Sequence, residues 1–137
     1  MPRWKFPYDA DGVPSLDVRI QAQGGPYTDL SGTVDSGAST TVLSIRNAEA
    51  LGLDPQDLRS APDAIVANKS RVHCWTAATP IRAQVLLSSP SGDLLPWGPV
   101  FAVNVLFIEE ADPLWGQADF FATFGINFER PQFTLRY

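Results

Sequence analysis

The chain is poor in the residues on which many enzyme chemistries draw. Its 137 residues include one cysteine, Cys74, and one histidine, His73. A lone cysteine excludes an intrachain disulfide and makes a reducing compartment the simpler expectation. His73 and Cys74 are neighbours on an expected strand, where successive side chains point to opposite faces, so they do not form a nucleophile–base pair. A buried thiol and a surface or satisfied imidazole are expected instead. No cluster of nitrogen and sulfur ligands and no glycine-rich phosphate loop is present, so neither a metal nor a cofactor is expected. Asp9-x-Asp11-Gly12 lacks the later ligands and closing glutamate of a calcium loop and reads as a turn. Positive charge is also scarce. Ten Lys and Arg stand scattered against fifteen Asp and Glu, a formal charge of −5, which offers no basic patch for nucleic acid. The longest apolar segment, Val100 to Ile108, is interrupted by Asn104 and far too short to span a bilayer. The N-terminal residues have no apolar core of signal-peptide length. The expectation is a soluble, cytoplasmic protein with no membrane partner.

An apolar content of 45% in a chain of this length argues for one folded domain with a real core. The stretch around which it is organised is Leu30 to Ser44. Apolar and β-branched residues lead into Asp35; Ser36, Gly37 and Ala38 then turn the backbone, and Thr40 to Leu43 resume an extended run. A strand thus delivers one carboxylate to a tight turn whose small residues admit other backbone close by. Asp-Ser-Gly is also an ordinary turn signal.

Upstream, residues 1–14 form a proline- and aromatic-rich arm. Trp4, Phe6 and Tyr8 alternate, and Pro7 confines the arm to a sheet edge, on the domain or on a partner. The domain proper is expected over residues 15–137. Leu16, Val18, Ile20 and Ala22 mark one face of a strand; Gly24-Gly25-Pro26 turns it into the strand that reaches Asp35. Ser44 is the expected N-cap of a short helix over Ile45 to Leu51, with Gly52 at its C-terminal end. Ile65 to Thr76 reads as a second hairpin with Ala67, Asn68, Lys69 and Ser70 at its tip. A strand over Ile81 to Leu87 follows, then a turn, a bulky connector through Pro96-Trp97-Gly98-Pro99, and a doubly covered central strand over Val100 to Ile108. A short helix over Asp119 to Phe124, a strand at Ile126 to Phe128 and a terminal strand near Phe133 to Tyr137 complete a mainly β barrel or sandwich.

Asp35-Ser36-Gly37-Ala38-Ser39, entered from a hydrophobic strand, resembles the catalytic loop of retropepsin-like aspartic proteases. Leu114-Trp115-Gly116, followed by Asp119-Phe120-Phe121 and Phe124-Gly125-Ile126-Asn127-Phe128, resembles that family's second signature, about 80 residues after Asp35. The resemblance covers roughly Leu16 to Phe128. It implies a mainly β, single-lobe, retropepsin-like closed barrel (the acid protease fold) with one or two short helices, acting as a homodimer. Asp35 is then the catalytic residue. Ser36 locks the two loops across the axis, Gly37 binds substrate backbone, and Leu114, Trp115 and Gly116 back the loop, with Trp115 bulky enough to narrow a side-chain pocket. The Ala67 to Ser70 tip takes the place of the flap, without the usual glycines.

Peptide hydrolysis of this kind shares a water between two carboxylates, one taking its proton and the other polarising the scissile carbonyl. The chain carries one Asp-Ser/Thr-Gly, since Asp112 precedes Pro113 and Asp119 precedes Phe120, so catalysis requires a second copy on a two-fold axis. Ser39, Thr40 and Gln117 stand where viral members carry the acids and arginine of a dimer salt bridge. The Trp4 arm and the Phe133 to Tyr137 tail are candidates to replace it. Ala38 brings no hydroxyl to the carboxylate, which implies a mildly acidic activity optimum. The expected function is an aspartic endopeptidase acting on an extended polypeptide. Two alternatives stay open: a catalytically inactive domain of the same fold serving peptide binding or dimeric assembly, and an unrelated β domain in which Asp35 only closes a turn.

Overall fold

The computed structural model describes residues 2–65 and 70–137. Among the described residues twelve strands form two sheets, one of nine strands and one of three. The alternation read from Leu16 onward becomes β2 (Ser15–Ala22), with Leu16, Val18, Ile20 and Ala22 all buried. It pairs antiparallel with β3 (Tyr27–Val34). Arg19 and Asp29, opposite each other in that register, add a two-point ion pair at 2.8 and 3.0 Å. The Arg19 guanidinium also lies over the Tyr27 ring.

After β4 (Thr41–Ser44) comes the expected helix, α1 (Ile45–Ala50). Ser44 caps it: its hydroxyl accepts the Asn47 N–H, and the Asn47 side chain accepts the Ser44 N–H in return. Gly52, at φ +79°, ends it in the left-handed conformation that glycine adopts without strain. The second hairpin is longer than its apolar pattern indicates. A 3-10 turn at Pro55–Asp57 leads straight into β5 (Leu58–Ile65), which pairs with β6 (Arg71–Ala77). Most of β5 is exposed or half-buried, so backbone pairing rather than burial makes it a strand. The expected tip residues Ala67, Asn68 and Lys69 lie outside the described residues.

Three further expectations change. The Pro96 to Pro99 connector is part of a strand, β8 (Leu94–Val103), which pairs with β7 (Ile81–Ser88). Prolines fit there because β8 is the edge of the nine-stranded sheet, where a missing N–H leaves no ladder bond unmade. Val100 to Ile108 is not one central strand. The chain breaks at Asn104, whose N–H donates to Asp119 at 2.7 Å, and only β9 (Val105–Ile108) is central, between β6 and β4. The short helix begins earlier than expected, as a π-helical turn at Gln117–Phe121.

The three-stranded sheet has the order β1 (Arg3–Pro7), β12 (Gln132–Arg136), β11 (Gly125–Glu129). The N-terminal arm therefore lies on its own chain, at an edge. Phe6 stacks on Phe133 with ring centroids 5.3 Å apart and meets Trp97 edge-on, tying the small sheet to β8. The architecture is mainly β, as expected. Among the described residues the edges of the large sheet, β5 and β8, do not pair with each other, so hydrogen bonds do not close it into a barrel.

Candidate active site

The Asp35 loop is built between two strands that are not direct neighbours. β10 (Leu114–Trp115) lies between β3 and β4, parallel to the first and antiparallel to the second. The loop linking β3 to β4 therefore wraps over β10, and residues 81 positions apart in sequence share one hydrogen-bond network. The Asp35 N–H donates to the Trp115 carbonyl at 3.0 Å. Ala38 N–H donates to the Asp35 carbonyl, Gln117 N–H to Ala38 at 2.8 Å, and Ala118 N–H to Ser39 at 3.0 Å. The Gln117 side-chain amide donates to the Ser36 carbonyl. Thr41, fully buried, takes the Gly116 N–H on its hydroxyl at 3.3 Å.

Two glycines make this closeness possible. A Cβ on Gly116 would run into the Thr40 carbonyl, and one on Gly32 would lie 2.8 Å from Pro113 and the Trp115 ring. Either would push β10 away from the loop. Trp115 does not narrow a pocket. It is fully buried, donates its indole N–H to the Leu16 carbonyl at 2.9 Å, and packs on Phe120 at 5.2 Å. Its bulk fills the core beneath the loop because the indole finds there both an acceptor and an aromatic neighbour.

Asp35 is half-buried, and its Oδ1 accepts the Gly37 N–H at 2.8 Å. Among the described residues its other carboxylate oxygen takes no protein hydrogen bond. It borders an open cleft of about 500 Å³, large enough for amino-acid side chains. Gly37, Ala38, Ser39 and Thr40 line the cleft beside it; Val42, Leu106, Ile108 and Leu114 form its floor. Ala64, Ile65 and Val72 reach in from the β5–β6 hairpin, and Ala111 and Asp112 complete the lining. The structure thus brings Asp35, Gly37, Ala38 and Leu114 into one cleft. Exposed Ser36 stands at the loop's tip, while Trp115 and Gly116 lie behind it. Ser70 is described but does not line the cleft.

Sequence reasoning missed the buried hydroxyl of Thr41, the loop-bracing amide of Gln117, and the walls contributed by Val42, Val72 and Leu106. The distant register of β10 decides all of these, and no local pattern carries it. It also missed a bracket at the base of the hairpin. β5 slips register against β6 between Ala61 and Ala64, and three side-chain bonds span the slip. His73 joins Ser60 through Nε2 at 3.0 Å and Asp63 through Nδ1 at 3.3 Å, while the Cys74 thiol donates to the Pro62 carbonyl at 3.0 Å. Cys74 is buried and His73 exposed, as the alternation requires. Among the described residues no group of side chains is arranged to hold a metal ion.

Comparison with known proteins agrees with this geometry. A family model described as aspartyl protease matches residues 17–83, the segment carrying the Asp35 loop and the following hairpin. No curated protein matches. The fold is similar to that of a retropepsin-like aspartic protease from Rickettsia conorii, with a TM-score of 0.66 at 19% identity, over 99% of this chain and 91% of that one. It is also similar to EIAV protease, solved in complex with the inhibitor HBY-793, with a TM-score of 0.53 at 17% identity, over 82% of this chain and 88% of that one.

Proposed function

We propose that this chain, whose fold is that of the retropepsin-like aspartic proteases, is an aspartic endopeptidase whose active centre forms between two copies. The observation that carries this reading is the Asp35 carboxylate, fixed by Gly37 and braced from behind by β10, at the wall of an apolar cleft under a β-hairpin. A turn-closing aspartate needs neither the cleft nor the brace.

One copy offers one such carboxylate, so a two-fold axis beside the Asp35 loop would supply the second. Two carboxylates held close cannot both ionise easily, and the pair divides into a base and an acid. The ionised member takes a proton from a shared water as it attacks the scissile carbonyl. The protonated member donates to the carbonyl oxygen, and the resulting tetrahedral species collapses as the leaving nitrogen is protonated. Ser36, exposed at the loop tip, would hydrogen-bond across the axis, and the Gly37 backbone would receive substrate. Extended substrate would lie between the floor and the hairpin, held by main-chain hydrogen bonds and by side chains in the cleft. With Gln117 in place of arginine, and Ser39 and Thr40 in place of acids, the dimer would not depend on the viral type of salt bridge. The three-stranded sheet, which includes β1 of the N-terminal arm and the terminal strand β12, is the proposed replacement.

The test is cleavage of an unstructured peptide library from pH 3 to 8 by the wild type and by Asp35→Asn, with solution mass recorded in parallel. Cleavage by a dimer that disappears in the variant is the expected result. A folded dimer that cleaves nothing would favour the alternative, a peptide-binding or assembly domain.

A further inference from the structure

The cleft beside Asp35 is lined mostly by aliphatic side chains and carries one further carboxylate. Val42, Leu106, Ile108 and Leu114 form its floor, with Ile65 and Val72 above. Ile65 keeps 69% of its surface exposed, the most of the large apolar side chains described. An aliphatic side chain left open in this way gains when another apolar group covers it. Apart from Asp35, the charged side chain that lines the cleft among the described residues is Asp112. It makes no ion pair there; Arg46 shares the adjacent hollow with it and with Glu109 and Glu110, but is not bonded to any of them. Its backbone is anchored close by. The Pro113 carbonyl accepts the Thr33 N–H at 3.1 Å, and Leu114 pairs with both Thr33 and Val42. An unpaired carboxylate in the lining of an apolar cleft complements a cation that arrives beside an apolar residue.

We propose that the cleft selects polypeptide segments in which an aliphatic residue near the scissile bond is flanked by lysine or arginine, the cation pairing with Asp112. This rests on the endopeptidase reading above. A second copy related by a two-fold axis carries a second Asp112, which extends the preference to both sides of the bond.

Two readouts separate selection from catalysis. The first is kcat/KM on matched peptides that differ only by lysine or glutamate at each position around an aliphatic residue. The second is binding of the same peptides to the Asp35→Asn protein, by fluorescence anisotropy. The expected lysine-to-glutamate ratio is about tenfold at the selected position, shrinking as salt is raised. It should fall to about twofold or less in Asp112→Asn and invert in Asp112→Lys. Equal handling of the two peptides by the wild-type cleft, or a ratio that survives in Asp112→Asn, overturns the proposal. Absence of cleavage overturns the endopeptidase reading, while the binding ratio still decides the selection. Failure of both peptides to bind and to be cleaved overturns both.

Discussion

Asp35 has one oxygen committed to the Gly37 N–H at 2.8 Å and the other open to the cleft, so its chemistry can be removed without disturbing the fold. Asp35→Asn keeps an acceptor for Gly37 but no acid or base. Cleavage should fall about a thousandfold or more, with the urea midpoint nearly unchanged. Thr41 behaves in the opposite way. Thr41→Val keeps the shape but leaves the buried Gly116 N–H without an acceptor, which costs about 1–3 kcal/mol. Equilibrium unfolding should show a lower midpoint at the same m-value. Ala38 bears on pH. If a hydroxyl at this position favours the ionised carboxylate, Ala38→Ser should move the acidic limb of the pH–rate profile to lower pH, and an unmoved profile removes that explanation. The candidate acid was legible because Asp-Ser-Gly-Ala is contiguous. Thr41 was not, because its partner Gly116 lies 75 residues away.

At the scale of elements, the β5–β6 hairpin carries Ala64, Ile65 and Val72 into the cleft beyond the register slip that His73 spans. The three bonds of the bracket would fix the angle at which the hairpin leaves the sheet. His73→Ala removes both imidazole bonds. It should raise KM several-fold and speed amide exchange in residues 58–65, with less effect on global stability because the bonds are exposed. Equal exchange in variant and wild type would show that strand pairing alone sets the angle. The β10 segment shows how little an element's length says about its role. At two residues it is the shortest strand described, yet it holds the Asp35 loop from behind. Gly116→Ala would force the Thr40 backbone to move. It should cost about 1–3 kcal/mol or more in unfolding experiments and impair cleavage further than that loss explains.

The whole molecule raises the question of assembly. One chain supplies one Asp35, so activity should depend on protein concentration, with specific activity rising as sedimentation moves from monomer to dimer. Specific activity independent of concentration, in a strictly monomeric protein, would rule out the paired centre. The small sheet is a natural place to look for the contact. Its β1 and β11 strands are edges, and Trp4 and Phe128 are among the exposed large apolar residues. A charge on this sheet, as in Trp4→Glu, should weaken association while leaving the large sheet folded.

The sequence alone determined whatever depends on neighbours along the chain. It placed the buried alternation of β2, the Ser44 cap and Gly52 stop of α1, the edge position forced by Pro7, and the opposite faces of His73 and Cys74. It also presented Asp35 on a strand-ended turn, and these local periods and caps act whatever the rest of the chain does. Only the tertiary structure decided that β10 slots between β3 and β4, that Trp115 turns inward, that Pro96 to Pro99 runs as an edge strand, and that Asn104 breaks an apolar run. Each of these depends on a partner many residues distant. Burial on one face constrains a strand's alternation, but which strand lies beside it depends on the packing of the entire core.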